Sequence, residues 1–300
     1  MQERYNYGEP NKAPYWPDKI TEYKSLIVHG VTLVPLAICF LCCLGPYLIA
    51  FKRNLAAHGL SPLLPLVSHS FRTIKFNYPG FLILVALCGL YKLAKGNGAL
   101  AAAEFARNIS LVLGLSLSIY VGMYQFAISF VSIHRFFNNR HLPEFRRNLT
   151  RRNVLILMVG AFLVMIVTNI GFVFASSAAL HFGTMEQIDK LSFYYESLYI
   201  MHQIFLFIAM GLQFSMRFVP PTSHSENVIA IHTKAIGAIK LGLGIVACIS
   251  YFTDSFSFAT SYLFFSIDWF LVPVVIELTE IRANPSVVQS DDKKDDFIKF

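Results

Sequence analysis

From Ile109 to His134 the chain runs through about 26 largely apolar residues, and at roughly 1.5 Å of rise per residue a helix of that length crosses a hydrocarbon layer of about 30 Å. The character then changes abruptly. Between His134 and Arg152 lie Arg135, Arg140, Arg146, Arg147, Arg151 and Arg152, with Glu144 as the single acid. A membrane-length apolar run followed at once by a basic loop implies a spanning helix whose following loop lies on the cytoplasmic side, where short loops collect Lys and Arg.

The pattern repeats along the chain. Seven spans are expected: Ser25 to Phe51, Pro79 to Ala94, Ile109 to His134, Asn153 to Ala179, Ser192 to Phe218, Lys234 to Tyr251 and Ser257 to Leu278. A length of 300 residues could hold two soluble domains, but 55% hydrophobic against 14% charged residues is the composition of a polytopic membrane protein. Lys52-Arg53 reads as the stop of the first span. Residues 54 to 78, with Pro62 and Pro65, read as a loop with a short interfacial helix, an early start to the second span being the alternative. Lys95 to Gly98 reads as a turn and Pro220 to Thr233 as a polar loop. The loops assigned inside carry 12 Lys and Arg: Lys52, Arg53, Arg72, Lys75, the six arginines, Arg217 and Lys234. Those assigned outside carry 4: Lys92, Lys95, Arg107 and Lys190. That bias predicts an all-α membrane protein, a seven-transmembrane helix bundle with the N-terminus outside and the C-terminus cytoplasmic. The expected division is an extracellular segment at 1–24, the bundle at 25–279 and a cytoplasmic tail at 280–300.

The formal charge of +7 sits in short loops between apolar runs, so it points to lipid headgroups and an acidic partner surface, and away from nucleic acid. All five cysteines (39, 42, 43, 88 and 248) fall inside apolar stretches, which argues against an extracellular disulfide framework. The Cys39 to Cys43 cluster has no second Cys or His pair, so neither a metal nor a cofactor is expected. The nine histidines form no HxxxH motif and no GxSxG occurs, which argues against an enzyme.

Two spans carry polar stripes at helical spacing. In the third, Ser118, Gly122, Gln125, Ser129 and Ser132 share a face, which in lipid must turn toward other helices or a wet cavity. In the fifth, Ser192, Glu196, Tyr199, Gln203, Leu206, Met210, Gln213 and Arg217 repeat at alternating spacings of four and three, with His202 beside them. Lys240 in the sixth span reads as a side chain that snorkels to the basic side, and Gly237, Gly242 and Gly244 as points of close helix approach. Asp268 falls near the middle of the seventh span, where a charge costs on the order of 2.5 to 3.5 kcal/mol and marks a functional position. Pro273 should kink that helix, and Glu277, Glu280 and Arg282 should mark its exit.

Seven spans, a third helix ending in Ser132-Ile133-His134-Arg135-Phe136, and a basic loop after it resemble the rhodopsin-like receptors, whose third helix closes on a D/E-R-Y/F triplet. The flavour is most similar to the nematode-type serpentine chemoreceptors, across about 255 residues from Ser25 to Thr279. The departures are specific. His134 replaces the acid, no cysteine is placed for the usual tethering disulfide, span six lacks CWxP, and Asp268-Trp269 with Pro273 stands where NPxxY is usual.

The resemblance implies a chemosensory G-protein-coupled receptor in the plasma membrane of a sensory cell, with a small-molecule ligand and a heterotrimeric G protein as partners. Joined to the stripes, it places a ligand pocket at Tyr124, Gln125, Glu196, Tyr199, Gln203 and Asp268, and G-protein coupling at His134, Arg135, Phe136, Arg140, Arg146 and Arg147. A transporter or channel is the alternative, since it too would keep polar residues in mid-membrane; no similarity between the two halves of the chain supports it.

Overall fold

The computed structural model describes residues 19–59, 61–93, 97–139, 149–182, 185–219, 221, 223–252 and 258–283. Every regular element among them is helical: α1 (Lys19–Gly59), α2 (Leu64–Arg72), a π-helical turn (Thr73–Asn77), α3 (Tyr78–Leu93), α4 (Asn97–Asn139), α5 (Arg151–Phe182), α6 (Met185–Ser215), α7 (His224–Phe252) and α8 (Phe258–Arg282). Four segments of the described residues are long and apolar enough to cross a bilayer: Val31–Gly59, Glu104–Asn139, Arg151–Gly171 and His224–Val246.

The spans differ from the sequence reading at their ends. α1 continues through Lys52-Arg53, because both side chains are exposed and a helix carries surface charges without ending. It stops at Gly59, whose carbonyl accepts from the Arg151 guanidinium at the start of α5. The expected loop at 54–78 is helical almost throughout. Pro65 sits at the start of α2, where its missing N–H would have no helical partner in any case. From Leu64 to Leu93 the helix is unbroken, and the π turn lies just before Pro79, whose ring cannot follow a regular turn. The second apolar run is therefore carried by α3 as the continuation of a helix that already starts at Leu64. α7 likewise begins ten residues before Lys234: the Ser223 hydroxyl accepts from the Glu226 backbone N–H at 3.2 Å and caps the helix. The arginines 140, 146 and 147 lie outside the described residues.

α4 is the hub, in contact with α2, α3, α5, α6, α7 and α8, while α1 lies along α8. Its centre is buried from Leu117 to Ile128 with few breaks, and there Tyr120, Met123, Tyr124 and Ile128 build the core with Tyr78, Leu206, Ile236 and Val272. α5 shows the opposite distribution. Leu155, Ile156, Val159, Leu163, Val164 and Val167 are all more than half exposed, as a lipid-facing surface requires. The polar residues are inside: Gln125, Ser129, Ser132, Lys240, Asp268, Glu277 and Glu280 are buried. Glu277 and Glu280 thus do not mark a solvated exit; both face the bundle from within α8.

Of the three glycines expected to admit a neighbour, Gly237 does so. A Cβ there would lie 2.7 Å from Met210 Sδ and 3.1 Å from Met210 Cβ, whereas Gly242 has nothing within 4 Å. Gly237→Leu is therefore expected to destabilise the α6–α7 contact by about 1–3 kcal/mol, and Gly242→Leu to leave stability unchanged. Thermal unfolding of the detergent-purified protein checks both.

Candidate functional site

Inside the bundle four helices meet at a single polar point, to which two of them bring a charge. Lys240 of α7 and Asp268 of α8 are 4% and 5% exposed, and Lys240 Nζ donates to Asp268 Oδ2 at 2.6 Å. The same ammonium donates to Gln125 Oε1 of α4 at 3.0 Å and lies 5.2 Å from the centre of the Tyr199 ring. Tyr199 of α6 in turn donates its hydroxyl to Asp268 Oδ2 at 3.0 Å. Lys240 therefore does not snorkel. Its stem turns inward because an aspartate, an amide oxygen and an aromatic face together replace the water it would lose.

Beside this cluster is a cavity of about 320 Å³, bounded by α4, α5, α6 and α8. Gln125, Tyr199 and Asp268 form its polar wall with His202 and Asn169, and Val121, Phe126, Val164, Met165, Phe205 and Trp269 supply apolar walls. Among the described residues, three buried polar atoms at the cavity have no hydrogen-bond partner: Gln125 Nε2, Asp268 Oδ1 and His202 Nε2. Asn169 accepts from Ser118 Oγ at 3.3 Å, fixing α5 to α4 at its edge.

Three of the expected pocket residues, Gln125, Tyr199 and Asp268, thus converge on one wall. Tyr124 does not line the cavity. One residue turns a helix by about 100°, so its ring points to α7, where its hydroxyl meets His232 Nδ1 at 2.5 Å. Gln203 is buried next to the cavity without lining it, and both of its amide atoms lack partners. Glu196 belongs to α6, and its side chain lies outside the described residues.

Ten residues along α4 from Gln125, about 15 Å, Arg135 is 9% exposed and held by α6, α7 and the segment between them. Its Nε lies 2.6 Å from Glu226 Oε1, its Nη1 donates to Gln213 Oε1 at 3.3 Å, and its Nη2 donates to the Val219 carbonyl at 2.9 Å. The acid missing from position 134 is thus replaced from another helix. His134 stacks on Phe130 and, with Arg135, Asn138, Ser223 and Glu226, lines a second cavity of about 350 Å³. Phe136 is half-buried with its ring 5.7 Å from Phe137. Arg140, Arg146 and Arg147 are not among the described residues.

Sequence reasoning missed Glu226 and the role of Lys240. Ser223-x-x-Glu226 is a capping-box spacing that announces a helix start within the supposed loop. Lys240 carried no such signal, because its partner is 28 residues away on another helix.

Helices of membrane length around a polar-walled internal cavity, with a clamped arginine at one end, are the architecture of a polytopic membrane protein. The chain belongs to the serpentine-type seven-transmembrane G-protein-coupled chemoreceptors of the Srz family, whose family model matches residues 30–285. No curated protein and no solved structure matches it.

Removing one partner of a buried pair leaves an uncompensated charge, at a cost of about 3–5 kcal/mol, whereas replacing both with apolar groups is close to neutral. Lys240→Met and Asp268→Leu are each expected to lower the unfolding temperature of the purified protein, and the double variant to recover most of that loss. Additive losses in the double variant would show that the two side chains do not depend on each other.

Proposed function

We propose that this chemoreceptor binds a small, mostly apolar molecule in the 320 Å³ cavity and signals through a heterotrimeric G protein at the end that carries Arg135. The observation that carries the ligand chemistry is the set of unpartnered atoms on the polar wall. Gln125 Nε2 offers a donor and Asp268 Oδ1 an acceptor, so a hydroxyl or a primary or secondary amide satisfies both, while Phe126, Phe205 and Trp269 take up an apolar body. Access is lateral as well as axial: Met201 and Val164 line the cavity and are 63% and 58% exposed on the lipid-facing side of α5 and α6. A molecule that partitions into the bilayer reaches the site by that gap.

In this reading the basic end lies in the cytoplasm, the N-terminus is outside, and the protein sits in the plasma membrane of a sensory cell. The ligand changes the surroundings of Asp268 and Lys240, and Lys240 is fixed to α7. A shift of α7 moves Glu226, at its other end, away from Arg135. The freed guanidinium and the 350 Å³ cleft beside it then receive the G protein, with Arg140, Arg146 and Arg147 supplying charge toward an acidic surface. No catalytic step is needed.

The test is a second-messenger assay in cells carrying a panel of G-protein reporters, challenged with medium-chain alcohols and amides. A saturable response that Gln125→Leu weakens at least tenfold and Arg135→Ala abolishes, at unchanged surface expression, is the expected result. Glu226→Gln, which weakens the clamp, is expected to raise signalling without ligand. Responses indifferent to both Gln125→Leu and Arg135→Ala would overturn the assignment of the two sites.

A further inference from the structure

At the Arg135 end of the bundle, where α1, α7 and α8 meet, a third polar cluster takes no part in the proposed signalling contacts. His58, in the last turn of α1, is fully buried, with Nε2 2.9 Å from Glu280 Oε1 of α8 and Nδ1 2.8 Å from Ser225 Oγ of α7. Asn54 Nδ2 donates to the same Glu280 Oε1 at 2.9 Å. His224, the first residue of α7, is 2% exposed, with its ring 4.8 Å from that of His58. Its Nε2 is buried and has no hydrogen-bond partner among the described residues. One ligand atom from each of His58, His224 and Glu280 lies within 4.8 Å of the others.

We infer that His58, His224 and Glu280 form a site for a divalent transition metal of the zinc type, which ties the start of α7 to the ends of α1 and α8. The donor set is two imidazoles and one carboxylate, the set that suits zinc; calcium and magnesium would require oxygen ligands throughout. The spacing is close to what coordination needs. Donors at about 2.0–2.1 Å from a tetrahedral ion stand roughly 3.3 Å apart, so the 2.9 Å His58–Glu280 pair need only open slightly. His224 must close from a separation of at most 4.8 Å. Metal binding displaces the hydrogen between His58 Nε2 and Glu280 Oε1; with that proton moved to Nδ1, the Ser225 hydroxyl turns to accept it, which holds the tautomer that leaves Nε2 free as a ligand. Asn54 holds the carboxylate in the same way. Three protein ligands leave a fourth position to water. Ser223, the neighbour of His224, lines the cleft beside Arg135.

Sequence spacing could not announce this site, because its ligands stand at positions 58, 224 and 280. Binding itself is independent of the receptor reading; its consequence for signalling rests on that reading, since the ion would hold α7 where Glu226 meets Arg135.

The test uses the full chain, purified without a polyhistidine tag and reconstituted in lipid nanodiscs, titrated with Co²⁺ and then with Zn²⁺. Expected are a saturable visible absorption of four- or five-coordinate Co²⁺ at one equivalent, its loss on adding Zn²⁺, and a rise in unfolding temperature with the ion bound. His224→Ala should weaken Co²⁺ binding at least tenfold and remove the thermal shift, while His69→Gln keeps both. No saturable absorption in the wild-type protein, or binding unchanged in a folded His224→Ala, overturns the proposal. If His224→Ala does not fold, X-ray absorption of the zinc-loaded wild type decides: scattering from two imidazoles upholds the site and an all-oxygen shell refutes it. Neither titration needs a ligand or a G protein, so their failure leaves the receptor reading standing, and failure of the signalling assay leaves the metal site standing.

Discussion

A lysine and an aspartate in the interior of an apolar bundle are the constraint from which the rest of this structure follows. Neither charge is tolerable alone in a bilayer, and together they are held only because Gln125 and Tyr199 meet the same two groups from α4 and α6. Four helices must therefore keep their rotation and depth for one set of hydrogen bonds to persist. Lipid offers no hydrophobic drive to press helices together, so such shared polar contacts, with close packing as at Gly237, fix the arrangement.

α7 gathers most of these contacts on one face. Ser225 reaches His58, Glu226 reaches Arg135, His232 joins Tyr124 to Thr279, Thr233 meets Ser132 at 3.0 Å, and Lys240 meets Asp268 and Gln125. Glu226 and Lys240 are 14 residues apart, about 21 Å of continuous helix. A rigid element tethered at a cavity and at a clamp is the physical requirement for coupling two sites, because a displacement imposed at one end must appear at the other. The polar face of α7 also explains why its start was misread. His224, Ser225, Glu226 and Asn227 open the helix with polar side chains, which read as a loop in the sequence, yet His224 and Ser225 are buried and Glu226 meets Arg135 of α4.

Much of the bundle was legible because lipid makes periodicity informative. Seven apolar runs, the stripe from Ser118 to Ser132 and the mid-span Asp268 all pointed inward, and each of the five stripe residues faces the interior or a neighbouring helix. Gln125 and Tyr199 were placed in a pocket because each lies on a polar stripe of its helix, and Asp268 because it puts a charge in mid-span. What escaped the sequence depended on pairing across long separations. Glu226 and Lys240 looked like ordinary surface charges until Arg135 and Asp268 were seen opposite them, and Pro65 looked like a loop signal where it is a helix start. Tyr124 was assigned by adjacency to Gln125, which on a helix places it on a different face.

The central step proposed is the release of α7, as one body, from the hold that the ion pair of Arg135 with Glu226 gives it against α4. Its most direct measurement is the distance between spin labels at Asn227 near the start of α7 and Arg152 near the start of α5, by pulsed electron resonance in nanodiscs. The exposed cysteines 42 and 248 are replaced beforehand. A single short distance in the parent protein that gains a longer component in Glu226→Gln is the predicted result. Superimposable distance distributions in the two proteins would contradict it.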